Sequence, residues 1–272
     1  MNQLRLEKLG LALIATTALA ALLGMLSLEP IPQDVRYHLF ADTRSVGAIP
    51  NFWNVVTNIP FTIVGLLGLI QLSKPGTLNV LSDIMPSYRL FFVGVLLVGF
   101  GSSYYHWAPD NHTLVWDRLP MTIAFMALFS IIISEFISVR SGKLLLLPLV
   151  LAGLLSVAHW HFTERSGAGD LRFYALVQFY PMIAIAIILI FFRSRFSLTE
   201  AYWWLLLFYV IAKVFEHFDA EVYHAIGIIS GHSLKHLFAA IGVYVLLMFY
   251  QARDINHRVG TATGPVQTIR KG

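Results

Sequence analysis

Ser102 and His106 stand four residues apart in Gly-Ser-Ser-Tyr-Tyr-His, and His232 and His236 stand four apart in Ser-Gly-His-Ser-Leu-Lys-His. In a helix that spacing puts each pair on one face, aimed at one point. Two histidines at i and i+4 form a rigid ligand pair, and a third from elsewhere leaves the fourth tetrahedral position of a zinc ion to water. An open site of this kind brings the pKa of its water to about 7 and supplies hydroxide at neutral pH. Asp117, eleven residues after His106, can hold or deprotonate that water. Plainer readings stand beside this one. A histidine near a helix end commonly bonds a carbonyl or water, and a serine among apolar residues commonly serves helix packing. Ionisable side chains inside membrane segments are costly and usually functional, which favours the metal.

Composition says what must position these groups. Of 272 residues 57% are hydrophobic and 12% charged, against roughly a quarter charged in an average soluble domain. Eight apolar blocks, over 9–26, 53–72, 90–106, 119–137, 144–160, 173–192, 201–218 and 232–250, are separated by short polar breaks. Bilayer-spanning helices need about 20 residues each, so the pattern predicts an all-α polytopic membrane helix bundle. Arg5 and Lys8 before the first block also fit a signal peptide, but the lack of a small-x-small cleavage site favours a retained helix. With no cysteine, thiolate ligands, cysteine nucleophiles and disulfides are excluded. The net charge of +4 is spread over the breaks and reads as topology, not nucleic-acid binding. Assigning the breaks to alternate sides puts twelve Lys and Arg on one side and Arg36, Arg44, Arg118, Arg165 and Arg172 on the other. The richer side is expected to be cytoplasmic, with both termini there and the three histidines at the opposite membrane level. A tail over 252–272, without apolar period, is expected to be mobile.

Other polar residues carry weaker signals. Lys213, Glu216, His217, Asp219 and Glu221 cluster at the end of the seventh block, as an ion pair or as a network orienting metal ligands. Lys235 is read as snorkelling to the headgroup region, and His159 and His161 as interfacial belt residues. Asn54 and Asn58 are read as bonding backbone groups freed near Pro60.

Asn-Phe-Trp-Asn-Val-Val-Thr-Asn at 51–58, Gly-Ser-Ser-Tyr-Tyr-His at 101–106, Asp117 and His232-x-x-x-His236, in this order and at these intervals, resemble the alkaline ceramidase family. That family belongs to a superfamily of seven-helix membrane hydrolases that includes the adiponectin and progestin receptors. The resemblance runs over seven of the eight blocks and implies a seven-helix core over 51–251, preceded over 1–50 by one extra helix and an outer loop. It implies that His106, His232 and His236 bind Zn2+, that Asp117 bonds the zinc water, and that Ser102 helps stabilise the oxyanion. The implied reaction is hydrolysis of the amide of ceramide or a related N-acyl lipid to a sphingoid base or amine and a fatty acid. Animal members carry an acidic calcium-binding segment ending in Glu where this chain has Asn51. Here Asp34, Asp42 and Asn51 replace the clustered carboxylates, so no calcium site is carried over. The chain resembles a bacterial relative, expected in the inner membrane, with lipids as partners and no nucleic acid. Two readings from other classes remain: a transporter or proton relay built on the polar cluster of the seventh block, and a receptor-like protein with a structural zinc. A retinal protein with Lys213 or Lys235 as Schiff base is a further reading.

Overall fold

The computed structural model describes residues 2–256. The chain folds as α1 (Gln3–Ser27), α2 (Phe52–Val56), α3 (Ile59–Leu72), α4 (Met85–Trp107), α5 (Leu114–Phe136), α6 (Val139–Arg165), α7 (Arg172–Phe191), α8 (Glu200–His217), α9 (Asp219–Ile226) and α10 (Gly231–Ala252). Among the described residues no β-strand forms beyond isolated bridges. Seven spans are long and apolar enough to cross a membrane: α1, α2 with α3, α4 with the short 3-10 turn before it, α5, α6, α7 and α10. The chain is an integral membrane protein with an all-α polytopic fold. The seventh apolar block forms α8, which has 18 residues but carries Glu200, Lys213 and Glu216, and packs along α10.

Burial is arranged as a bilayer requires. In α5, 78% of the apolar stretch is buried, against 6% in α1, so α5 is the central helix and α1 an outer one. α1 leans on α7, where the Tyr180 hydroxyl donates to the Ile14 carbonyl at 2.8 Å. On α6, Leu144, Leu147, Leu151 and Leu155 form an exposed stripe, while Gly142, Gly153 and Ser156 face inward. Small residues inside and leucines outside are what helix association in lipid selects, since lipid tails are as apolar as leucine and close backbone approach is the gain. Two glycines on α3 and α4 show how close the backbones come. A β-carbon at Gly94 would stand 2.7 Å from the Ala124 nitrogen of α5, and one at Gly65 would strike the backbone of Leu96.

The second apolar block does not run straight. It breaks between α2 and α3 at Thr57 and Asn58, with Pro60 in the first turn of α3. Proline lacks the N–H that would continue the ladder, so the break falls just before it. Residues between α1 and α2 form a strap across the end of the bundle that holds the histidines. It is tied to α7 by Leu171 N–H donating to the Ile31 carbonyl at 2.8 Å, and to α6 by Gln33 N–H donating to Glu164 at 3.1 Å. Beside it, hydrogen bonds from Arg172 hold the Asp170 carboxyl well below the usual carboxylate range, with His159 3.5 Å from the same group.

The other end is closed by a buried ion pair. Arg253, just after α10, donates to Glu135 of α5 at 2.7 and 2.9 Å, and both side chains are essentially inaccessible. The Tyr202 hydroxyl donates to the same carboxylate at 2.7 Å, and Tyr88 donates as well. The guanidinium lies between Phe196 and Tyr250, 3.7 and 4.1 Å from their ring centres. Arg253 therefore does not belong to a free tail: Asp254 N–H also bonds Ser197, and Asn256 N–H bonds the Arg195 carbonyl. Residues 257–272 of the expected tail lie outside the described residues. Removing one partner of such a pair strands the other charge, at a cost of about 3–5 kcal/mol. Arg253→Leu is expected to lower the unfolding midpoint in detergent sharply, and adding Glu135→Gln is expected to restore part of the loss. A single variant as stable as the parent would show that the pair contributes little.

Candidate metal centre and lipid cavity

His106 lies in the last turn of α4, and His232 and His236 lie in the first turns of α10. All three are buried. His106 Nε2 stands 3.2 Å from His236 Nε2 and 3.4 Å from His232 Nε2, and the three ligand atoms lie within 4.8 Å of one another. The edge of a tetrahedron with zinc–nitrogen bonds of 2.0–2.1 Å is about 3.3–3.4 Å, so the two edges that meet at His106 match such a site, and the third lies within 4.8 Å. Its chemistry fits too. A neutral imidazole offers one N–H, so His106 Nε2 cannot donate to both neighbours it faces, whereas one cation accepts a lone pair from each. The tautomer of His236 follows from its other nitrogen. Thr57 donates its single hydrogen to the Trp53 carbonyl at 2.6 Å, so at 3.0 Å from His236 Nδ1 it must accept. That leaves His236 Nε2 unprotonated and facing the cluster, the usual arrangement for a ligating histidine with a partner behind it.

Short contacts from α2 and the strap brace the cluster. Asn51 donates to the His106 carbonyl at 2.9 Å, and Asn54 accepts from Ser233, next to His232, at 2.7 Å while donating to the Asp42 carbonyl at 3.0 Å. Asn54 thus joins α10 to the strap rather than bonding backbone near Pro60, and Asn58 turns back to the Asn54 carbonyl at 2.8 Å, a backbone group at the break. The ring of Phe40 covers the cluster from the strap, 4.8 Å from His106 and 4.6 Å from His232 between ring centres. Asp219 at the start of α9 holds strap and ligand helix together: one oxygen accepts from Ala41 N–H at 2.9 Å, the other from His232 N–H at 2.6 Å.

Ser102 and Asp117 are buried and lie within hydrogen-bonding reach of each other. Asp117 sits in the first turn of α5 itself rather than in the loop before it. Both line a cavity of about 360 Å³ together with His236, while His106 and His232 stand behind. That volume lies in the ordinary range of small-molecule sites, about 300–1,000 Å³. From Asp117 the cavity runs down one face of α5 past Met121, Ala124, Leu128 and Ile132. At 1.5 Å per residue this is roughly 22 Å, the reach of an extended long-chain acyl group. It also reaches Phe179 on α7, which is exposed on the outer surface of the bundle.

The structure brings together all five residues singled out from the sequence. It adds others that sequence reasoning left out or read differently. Lys235 does not snorkel outward: its ammonium meets Glu216 at 2.6 Å, and both line the cavity with Lys213, Tyr37 and Arg118. The signal was the lysine at i+3 from His232, which a helix places on the ligand-bearing side rather than opposite it. Thr57, Phe40 and Asp219 act through contacts between distant segments and left no spacing to read.

A bundle of apolar helices holding a histidine cluster, with serine and aspartate beside it at the head of a lipid-sized cavity, defines an intramembrane protein with a candidate hydrolytic centre. The sequence model of the family described as Ceramidase matches residues 45–263, and the chain belongs to that family. Membership supports hydrolysis of a ceramide-type amide as its class of reaction. No curated protein matches the chain at a significant level.

Asp219→Ala is expected to free the strap, since it leaves Ala41 N–H and His232 N–H without their acceptor, a loss of about 1–3 kcal/mol. Amide hydrogen exchange over 38–44 should rise relative to α5. Unchanged protection there would remove Asp219 from this role.

Proposed function

We propose that the chain is a zinc-dependent amidohydrolase that cleaves the amide of ceramide or a related N-acyl lipid, releasing an amine and a fatty acid. The carrying observation is the gathering of His106, His232 and His236 around one point, with Ser102 and Asp117 beside them at the polar head of an apolar cavity. His106, His232 and His236 would hold the ion, and zinc bound there supplies a Lewis acid and lowers the pKa of bound water to about 7. Asp117 takes the proton of the attacking water and delivers it to the nitrogen of the leaving amine, so that a carbon–oxygen bond replaces the carbon–nitrogen bond. Ser102 turns its hydroxyl from Asp117 to the carbonyl oxygen and stabilises the charge that develops there. Met121, Ala124, Leu128 and Ile132 hold the acyl chain along α5. The strap covers the outer end of the site, and Phe179 is both cavity wall and outer surface, which favours arrival of the lipid from the side.

In this reading residues 51–251 form the hydrolase domain, residues 1–50 an added helix with the strap, and 252–272 a tail. The distribution of basic residues supports a cytoplasmic C-terminus and a metal centre on the non-cytoplasmic side, in a bacterial inner membrane.

Two outcomes test the proposal. Metal analysis of the purified protein should find about one zinc per chain, and His232→Ala should lose most of it; a parent without zinc, or a variant that keeps it, would sink the metal assignment. Asp117→Asn should retain zinc and lose activity by about 10²–10⁴-fold, the range for a positioned acid–base group. Mass spectrometry of ceramides and other N-acyl lipids incubated with the parent and this variant reads the loss and the substrate class together.

A further inference from the structure

The polar head of the cavity carries charge that the hydrolytic chemistry does not use. Glu216 accepts from Lys213 at 2.5 Å, from Lys235 at 2.6 Å and from the Tyr37 hydroxyl at 3.3 Å. One carboxylate balances only one of the two ammonium groups. Asp117, the other carboxylate lining the cavity, has Ser102 as its hydrogen-bonding neighbour and lies in the field of Lys235 and Arg118, so the two carboxylates together offset two of the cavity's cations. Arg118 is the third cation on the cavity wall, and only 6% exposed. Its Nη2 donates to a neutral group, Gln33 Oε1, at 2.6 Å, and its plane rests on Trp160 and Tyr174, 4.2 and 4.6 Å from their ring centres. Its Nη1 is buried and has no hydrogen-bond partner among the described residues. Glu164 braces Gln33 and Trp160 from behind, through the Gln33 N–H and the indole N–H, and does not line the cavity.

The cavity wall thus presents Arg118, Lys213 and Lys235 against Asp117 and Glu216. Ionisable groups at membrane depth normally pair with one another, and a buried donor without an acceptor adds to the cost. A divalent cation at the histidine cluster would enlarge the positive excess. The cations also share one end of the cavity: Arg118 and Lys235 both stand against the Tyr37 ring, at 5.8 and 6.0 Å from its centre, while the wall along α5 beyond Asp117 is apolar. The acyl chain belongs in the apolar shaft, which leaves the positive end for the other side of the scissile bond.

We propose that Arg118 and Lys235, with Lys213 behind them, form a subsite for an anionic group, a carboxylate or phosphate, on the amine side of the lipid amide. The substrate class is then an N-acyl lipid with an acidic head group, in preference to a neutral one. This rests on the hydrolase reading for which side of the amide faces the cations. The same oxyanion chemistry has a second source, the carboxylate of a released fatty acid, and the experiment separates the two.

Binding is measured by calorimetry on the purified protein in detergent with uncleavable probes, the analogues of N-palmitoylglycine and of N-palmitoylethanolamine in which a methylene replaces the amide nitrogen, and with palmitate. The acid analogue should bind at least tenfold more tightly than the alcohol analogue, and Lys235→Gln and Arg118→Gln should each cut that ratio to threefold or less. Equal binding of the two analogues to the parent overturns the proposal. Palmitate binding as tightly as the acid analogue, with the same losses in the variants, overturns the head-group assignment and gives the subsite to the product. If Arg118→Gln does not fold, Lys213→Gln and Lys235→Gln carry the test, and a ratio unchanged in both counts against it. Because the probes are not cleaved, a protein that prefers the acid analogue yet hydrolyses neither parent amide supports the subsite and refutes only the hydrolase reading.

Discussion

His106 and His236 are 130 residues apart in the chain, and their Nε2 atoms stand 3.2 Å apart at the end of a bundle of apolar helices. Imidazole nitrogens with nothing to bond are expensive in such a place, so their meeting constrains everything around it. The bracket that achieves it is the short helix α2. Asn51 holds the backbone of His106, Asn54 holds Ser233 beside His232, and Thr57 holds the ring of His236. Three side chains of one broken span thereby reach both ligand-bearing helices. The break at Thr57 and Asn58 is what frees α2 to take this position, separate from the straight run of α3 below it.

The rest of the molecule can be read as two polar layers separated by an apolar one. At one end of the bundle the strap, Phe40 and Asp219 cover the histidines, and the cations of the cavity head gather around Glu216. At the opposite end Glu135 and Arg253 lie buried among tyrosines. Between them α5 offers the cavity a face of apolar side chains spaced three and four residues apart. This division places charge only where several partners converge and leaves the middle free for a hydrocarbon chain. It also explains why α5 is the most buried of the candidate spans: one side packs on α4 and α6, and the other is the wall of the cavity.

The two layers differ in how completely they are satisfied. Glu135 has two guanidinium nitrogens and two tyrosine hydroxyls, and Arg253 has two aromatic faces as well, which is the behaviour of a structural closure. Arg118 is hydrogen-bonded to an amide oxygen and stacked on aromatic rings, with the Asp117 charge nearby and one buried nitrogen left without a hydrogen-bond partner among the described residues. Buried polar groups without partners in a folded protein call for a reason, and a ligand is the reason that a cavity wall supplies.

Much of this was legible before any coordinates. Apolar blocks of membrane length and the i and i+4 spacing of Ser102 with His106 and of His232 with His236 depend on helical periodicity and bilayer thickness alone, while the order of the motifs carried the family resemblance. These are local rules, and they set the all-α membrane bundle and the shared faces, though they count eight spans where seven qualify, because α8 carries Glu200, Lys213 and Glu216. What they could not contain is the partner of a side chain across the bundle. Lys235 reads as a snorkelling residue until α8 brings Glu216 to it, and Asp219 reads as part of a helix-end cluster until the strap arrives at Ala41. Arg118 counts as a loop charge until Trp160 and Tyr174 enclose it. Periodicity fixes direction around one helix axis, whereas charge balance and hydrogen-bond satisfaction depend on which helices become neighbours, and only the tertiary packing decides that.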